Sequence, residues 1–517
     1  MSVQPEKASI HDDALESKHT RWAAYSSYGV TVIGLATSLI SLKLATHYLS
    51  STEFGLWGVL FQLMGYFYLL ELGVISSMGR VFAGPIARKS SDEASRWIST
   101  AAFIINAQGV LIFLVGALCG PFLFQFIHVG SSLASEAGQL WWGILFIHLI
   151  QTPFKPFIGI LHAGNRVFYV NVVGITGQIL MVLAFALFLY LGLGTSSYVW
   201  SYAITVLISS LAYWVAARRT VPVRFLIGLK YFEMKKLKEL FSFSIGLFAL
   251  NLAAQVTTAG QGVLIARFSS LSEAAGFAVT SRLSVQLAML LQRTVEAFLP
   301  KWSLEWAGGR QDEAIKGFRK VYSATLPLLG LLLFWVILVN PAFVVWWTAP
   351  EYFSGSATNV GMGLVAVIFT INRIMQLLFL MKMRAGNMAK VTSLGALFEV
   401  ALYFYLIPKY GTAGVPAASC LANLMWTTPI MMYGGLRSFG KGAWKWNIQL
   451  LCWLVGSAIT AYILQTALAP MAVGVPLQHF VVASLVASLV SFAVILVSLG
   501  IFRKQKPSAQ VKEENDQ

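Results

Sequence analysis

The sequence predicts an all-α integral membrane protein, and three observations carry that prediction. The 517 residues are 57% hydrophobic and 11% charged, whereas an ordinary globular chain carries about 25% charged residues. The mean hydropathy is +0.70. Fourteen apolar stretches recur along the chain with mostly short gaps between them. So few charges could not cover the surface of a soluble protein. That excludes a cytosolic enzyme, a secreted disulfide domain and a disordered tail protein.

The fourteen stretches lie at 24–47, 54–78, 97–120, 139–161, 168–192, 197–217, 242–265, 274–298, 322–346, 358–381, 391–408, 413–434, 448–468 and 479–502. Each approaches the ~20 residues needed to cross a bilayer as a helix. Residues 1–23 are polar and the first apolar run is too long for a signal peptide, so none is expected. Placing the N-terminus in the cytoplasm and alternating the spans puts 30 of the 37 Lys and Arg in cytoplasmic segments. Only Arg267 and Lys409 fall on the opposite side, and Lys43, Lys155, Arg282, Arg293 and Arg373 fall within spans. The +16 net charge therefore reads as an orientation signal with both termini cytoplasmic, not as a nucleic-acid surface.

A weak internal repeat divides the chain. Ala163-Gly164-Asn165 after span 4 returns as Ala385-Gly386-Asn387 after span 10, and Gly55 in the first loop returns as Gly276 in the loop after span 7. The offsets, 222 and 221, are nearly equal and join equivalent loops. This predicts an N-lobe over 24–217, a C-lobe over 242–434, two added helices over 435–502 and a cytoplasmic tail over 503–517. Parallel halves of this kind suggest a transporter with a central cavity. Between the lobes, residues 218–241 form an amphipathic elbow, with Leu229, Phe232, Leu237, Leu240 and Phe241 against Lys230, Lys235, Lys236 and Lys238.

Ionisable residues inside spans are functional candidates, because burying them costs several kcal/mol. In span 1, Lys43 lies near the outer end, one turn from His47. In span 4, Lys155 lies between Pro153 and Pro156, where a kink frees carbonyls that it could satisfy, and His148 reads as a structural histidine. Span 7 carries Ser244, Asn251, Gln255, Thr258 and Gly262 in a narrow arc, which suits either close helix packing or cavity lining. Span 8 carries Gln286, Met289, Arg293 and Glu296 within about 40° of Arg282 at 100° per residue. That stripe must turn away from lipid, and Arg293 and Glu296 are spaced for a helical ion pair. In span 10, Arg373 stands beside Asn372 and Gln376, too deep to snorkel easily. The acids within spans are Glu71, Glu296 and Glu399, and all five Asp fall in cytoplasmic segments. A cationic cavity suits an anionic substrate, and Arg matches phosphate geometry.

Cys119, Cys420 and Cys452 are far apart in apolar stretches and read as buried small hydrophobes. There is no GxxxxGK[ST] loop and no HExxH pair, so neither a nucleotide nor a metal cofactor is expected.

The loops carry a resemblance. LSSTEFGLWGVL and LLELGVISSMGR around span 2, SSLSEAAGFAVTSRL at the start of span 8, LPKWSLEWAGGRQDEA after it, WWTAPEYFSGSA after span 9 and MRAGNMAKVTSLGALFEVALYFYLIPKYGTAGVPAAS across span 11 resemble the multidrug/oligosaccharidyl-lipid/polysaccharide (MOP) exporter superfamily. Fourteen helices and a basic interior resemble its polysaccharide-transport branch, the flippases of lipid-linked O-antigen and similar oligosaccharides. The resemblance implies two six-helix lobes around a central cavity lined by helices 1, 2, 7 and 8. It implies a bacterial inner-membrane flippase for a polyprenyl-pyrophosphate-linked oligosaccharide, working beside glycan polymerases or glycosyltransferases. Candidate cavity residues are Arg282, Arg373, Lys43, Arg293, Gln286, Asn251 and Gln255, and coupling or ion-pair candidates are Glu71, Glu296 and Glu399. The Arg-rich start of helix 1 of lipid II flippases is absent, as is the first-lobe Asp of many drug exporters. The alternatives are an ion-coupled multidrug exporter of the same superfamily and a membrane glycosyltransferase or polymerase. The latter would need an acidic catalytic residue in a sizeable outer loop, and those loops are short.

Overall fold

A computed structural model describes residues 6–70, 74–382, 385–436, 444–468 and 476–504, with some side chains inside helices excepted. Glu71 lies outside the described residues, as does the side chain of Asn251. Among the described residues all regular structure is helical: α1 (Glu6–Tyr48), α2 (Ser51–Leu70), α3 (Val74–Val81), α4 (Ala83–Ala87), α5 (Ser91–Phe126), α6 (Ala134–Gln151), α7 (Pro156–Ala163), α8 (Val167–Tyr190), α9 (Ser196–Thr220), α10 (Met234–Phe268) and α11 (Leu271–Thr280). There follow α12 (Arg282–Glu296), α13 (Leu299–Ala307), α14 (Gln311–Leu338), α15 (Asn340–Trp347), α16 (Ser356–Met381), α17 (Ala385–Tyr410), α18 (Gly414–Ala422), α19 (Thr428–Leu436), α20 (Trp444–Leu468) and α21 (Pro476–Lys504).

Nine of these stretches are long and apolar enough to cross a membrane, or up to 11 if two bent pairs each count as one span, among the described residues. Spans 4 and 8 are each broken by a 40° bend and are the two bent pairs, spans 11 and 12 run together as one apolar stretch, Lys390–Gly435, and spans 2 and 7 run into residues outside the described set. Large apolar side chains such as Leu118, Phe122 and Leu489 stand at least 70% exposed, on a scale that only lipid would cover. The cysteines follow the same rule. The expectation that they are buried is corrected: Cys119 and Cys452 are exposed and Cys420 is half-buried. Apolar sequence does not distinguish a position facing protein from one facing lipid.

By internal contacts the chain forms two units, 1–279 with 389–418 and 280–388 with 419–517. The first unit explains the repeated loop. Ser50 and Glu53 form a capping box at the start of α2, with Ser50 N donating to Glu53 Oε2 at 2.7 Å and Glu53 N to Ser50 Oγ at 3.3 Å. Ser270 likewise accepts from Glu273 N at 3.1 Å at the start of α11. The two caps meet: Ser272 Oγ donates to Ser51 Oγ at 2.8 Å, and these residues are 221 apart. Residues related by the repeat offset touch each other, as they do on a two-fold axis. Gly55 seats directly on the Leu271 backbone.

The span 8 break has a hub in the second unit. Its 40° bend falls between Thr280 and Arg282, where the freed Thr280 carbonyl accepts from Asn340 Nδ2 at 2.7 Å. Thr280 Oγ1 donates to Tyr352 O at 3.1 Å and accepts from Ser354 N at 2.9 Å. Asn340 is fully buried and also donates to Asn359 Oδ1 at 2.7 Å. Asn340→Ala is expected to lower stability by about 1–3 kcal/mol, because it orphans a buried carbonyl. An unchanged unfolding midpoint of the purified variant would show that the break holds itself.

Candidate functional site

Three of the charged residues predicted from spans 8 and 10 converge in the second unit. α12 and α16 are joined by two polar rungs. Gln292 Nε2 donates to Thr370 Oγ1 at 3.3 Å. One turn further, Arg373 reaches Glu296 Oε1 with Nε at 2.8 Å and Nη2 at 2.7 Å. Both rungs advance along the two helices together, so α12 and α16 run parallel, as alternation requires of spans 8 and 10. The second carboxylate oxygen of Glu296 takes Arg293 Nη1 at 3.2 Å. Arg373 also donates Nη1 to Gln376 Oε1 at 3.3 Å.

These groups line a cavity of about 250 Å³ formed by Met289, Gln292, Arg293, Glu296 and Arg373. Its formal charge is +1, because one carboxylate is shared by two guanidinium groups. The site is partly exposed: Arg373 is 40% exposed and Arg293 62%, against 21% for Glu296. α16 is fixed behind it by Asn372, whose Nδ2 donates to Asn423 Oδ1 at 3.0 Å. Asn423 begins a π-helical turn over Asn423–Thr427 and donates its own Nδ2 to Ser419 O at 2.8 Å. The positioning chain therefore runs from a π-bulge, a recurrent device at functional sites, to the arginine.

Arg282 opens α12 immediately after the break, and Gln286 lies one turn on. Both are half-buried, and neither lines the cavity. The spacing revealed the Arg293–Glu296 pair. It did not reveal the bond to Arg373, 77 residues away, nor the roles of Gln292 and Thr370, which carry no charge to mark them.

The remaining candidates belong to the first unit. Gln255 packs on Gly65 of α2 and donates to Gln62 O at 3.4 Å, while Gln62 packs on Gly262 of α10. Each helix thus offers a glycine to the other's glutamine, which is close helix packing of the span 7 stripe. Lys43 is half-buried on α1, and Lys155 is buried at the break of span 4. Glu399 is 4% exposed and accepts from Tyr403 Oη at 2.6 Å. Tyr403 accepts in turn from Gln261 Nε2 at 2.9 Å and lies 3.2 Å from Thr257 O, so α17 and α10 share a buried polar network.

Comparison with known proteins places this architecture. The chain is similar to an inward-facing multidrug resistance MATE family transporter of the MOP superfamily, at 14% identity and TM-score 0.67, over 79% of this chain and 98% of that one. It is similar to the lipid II flippase MurJ in an inward closed conformation, at 16% identity and TM-score 0.66, over 93% and 98%. This is the MOP exporter fold. A Vibrio cholerae MATE transporter in its bent form shares it less closely, at 13% identity and TM-score 0.53, over 84% and 99%. Residues 162–342 match a family described as polysaccharide biosynthesis protein. A comparison with curated proteins gave no match. The MOP fold and the polysaccharide match agree with the resemblance carried by the loops, and the chain is a multi-pass membrane protein.

Proposed function

We propose that this chain flips a polyprenyl-pyrophosphate-linked oligosaccharide from the cytoplasmic to the outer leaflet of a bacterial inner membrane, by alternating access and with both termini in the cytoplasm. The observation that carries the reading is the Arg293–Glu296–Arg373 cluster, a partly exposed site of net positive charge where α12 meets α16. A pyrophosphate crossing the membrane loses its hydration, and guanidinium groups replace it with paired, directional donors. Glu296 occupies Arg373 while the site is empty, so the cation is never left unpaired at membrane depth. An arriving phosphate oxygen takes the position of the carboxylate, and Glu296 reclaims the arginine on release. Outward movement of an anion is favoured by an inside-negative potential, by ~2.3 kcal/mol per charge per 100 mV. The polysaccharide match and the lipid II flippase neighbour support a lipid-linked cargo. Glycosyltransferases that assemble the cargo and a polymerase that uses it are the partners this activity requires.

A second reading, an ion-coupled multidrug exporter, is favoured by the buried Glu399–Tyr403–Gln261 network, which could carry a coupling cation. Proteoliposomes holding the full chain separate the two. A fluorescent pyrophosphate-linked oligosaccharide should reach the opposite leaflet, where dithionite quenches it, faster than in protein-free vesicles. Accumulation of a cationic dye that stops in Glu399→Gln, with no movement of the lipid, would replace the first reading with the second.

A further inference from the structure

The first unit holds a second basic pocket, at the end of the bundle that the charge split assigns to the cytoplasm. Its wall is the segment 221–228, which bends over residues 221–223 and has no regular structure from 224 to 228. Burial alternates along it: Val221, Val223 and Phe225 enter the core formed with α3, α5 and α7, while Pro222, Arg224 and Leu226 face outward. A ladder of α5 hydroxyl groups holds the segment in place of a partner strand. Ser95 Oγ accepts from Leu226 N at 2.9 Å, Ser99 Oγ accepts from Gly228 N at 3.2 Å and donates to Leu226 O at 3.2 Å, and Thr100 Oγ1 accepts from Glu233 N at 3.1 Å. The elbow is made of more than one element. Its first half is this strap, followed by a short turn over Leu229–Tyr231 and the opening turns of α10.

Between strap, α5 and α9 lies a cavity of about 820 Å³ whose polar lining includes Ser91, Asp92, Arg218, Arg224 and Tyr231. Asp92 is already paired, 2.9 Å from Arg96 Nε. Arg218 is held in place by donating Nη1 to Phe225 O at 2.8 Å and stacking 4.6 Å above the Phe225 ring. Arg224 has no partner among the described residues. Two guanidinium groups thus face the cavity with its one carboxylate engaged elsewhere. The rim is apolar and uncovered: Leu226 is 57%, Ile227 44% and Leu229 78% exposed, with Lys230 among them. Apolar side chains interleaved with cations mark the depth at which a membrane surface begins.

We propose that this pocket binds the phosphodiester headgroup of an anionic phospholipid of the cytoplasmic leaflet, with Arg218 and Arg224 on the phosphate and the acyl chains against Leu226, Ile227 and Leu229. A soluble phosphate would use the arginines and leave the apolar rim unexplained. The site is independent of the transported cargo. Basic pockets on the cytoplasmic side of helical bundles hold lipid headgroups in this manner.

The test is retention of phosphatidylglycerol by the purified full chain, read by native mass spectrometry, with phosphatidylcholine, whose phosphate charge is balanced by its own choline, as the net-neutral reference. The affinity of the tightest phosphatidylglycerol adduct should fall about five-fold in Arg224→Gln and roughly twenty-five-fold in Arg224→Glu, as expected for one and two charges near a surface. Arg224 makes no internal bond, so both variants should fold, which a monodisperse elution profile checks. Equal retention by the wild type and Arg224→Glu overturns the site. An equal loss in Arg219→Glu, which lies outside the cavity, reduces it to general surface charge. Millimolar inorganic phosphate that displaces the lipid as fully as added phosphatidylglycerol does reassigns the pocket to a soluble phosphate and overturns the lipid.

Discussion

Arg373→Ala should slow transport of a pyrophosphate-linked lipid by roughly ten- to a hundred-fold while leaving the protein folded and abundant. A hydrogen bond to a charged group is worth about 1.5–3 kcal/mol, which sets that range if Arg373 holds the phosphate in the transported state. The folded state loses little by comparison. Glu296 keeps Arg293 at 3.2 Å, and the Arg373–Glu296 pair is 40% and 21% exposed, so solvent screens much of its strength and ~1 kcal/mol is the expected stability loss. Glu296→Gln provides the complementary measurement. It frees Arg373 of its resident anion, so the cargo should bind more tightly and leave more slowly, giving a lower apparent KM with a reduced maximal rate. Flipping at the wild-type rate by Arg373→Ala, at equal protein density in proteoliposomes, would remove this site from the transport path.

Gly55→Ala should strongly impair folding. The added Cβ would enter the Leu271 carbonyl, which is backbone and cannot rotate away. Overpacking a well-packed core costs about 1–3 kcal/mol, and a clash with backbone where two helix caps meet should exceed that. The paired loops could not both keep their caps and the Ser51–Ser272 bond. Gly58→Ala is the internal control, one turn along α2, where a Cβ meets nothing within 4 Å. It should be neutral or stabilising by up to ~1 kcal/mol, since alanine favours a helix over glycine. The thermal transition and the yield of monodisperse protein distinguish the two variants. Similar behaviour of both would mean that α2 and α11 can separate freely.

The legible part of this chain is whatever depends on neighbours in sequence. Spans could be placed because roughly 20 apolar residues are needed in one run. Arg293 and Glu296 could be paired because three residues bring two side chains to one face of a helix. The kink at Pro153 and Pro156 was readable from the residues themselves, and it is present as the bend between α6 and α7. The kink before Arg282 was not, because neither Thr280 nor Ser281 breaks a helix. It exists because Asn340, Tyr352 and Ser354 satisfy the groups the bend exposes. The repeat was legible as an offset of 221 between Gly55 and Gly276, but its reason was not. The capping box of α2 meets the serine cap of α11 through the Ser51–Ser272 bond.

The sequence by itself determined that this is a multi-pass membrane protein and that a few of its cations lie within the apolar stretches. Those properties follow from transfer free energies, which add residue by residue and need no tertiary information. The tertiary structure alone decided which misplaced charges act together. Lys43 and Gln255 went to one unit and Arg373 to the other, where Arg373 met Glu296 of α12, 77 residues away in sequence. It also decided which apolar residues face protein and which face outward, as Cys119 and Cys452 illustrate. Lipid and protein interior are equally apolar, so hydropathy cannot tell them apart. Only the packing of one helix on another assigns each face.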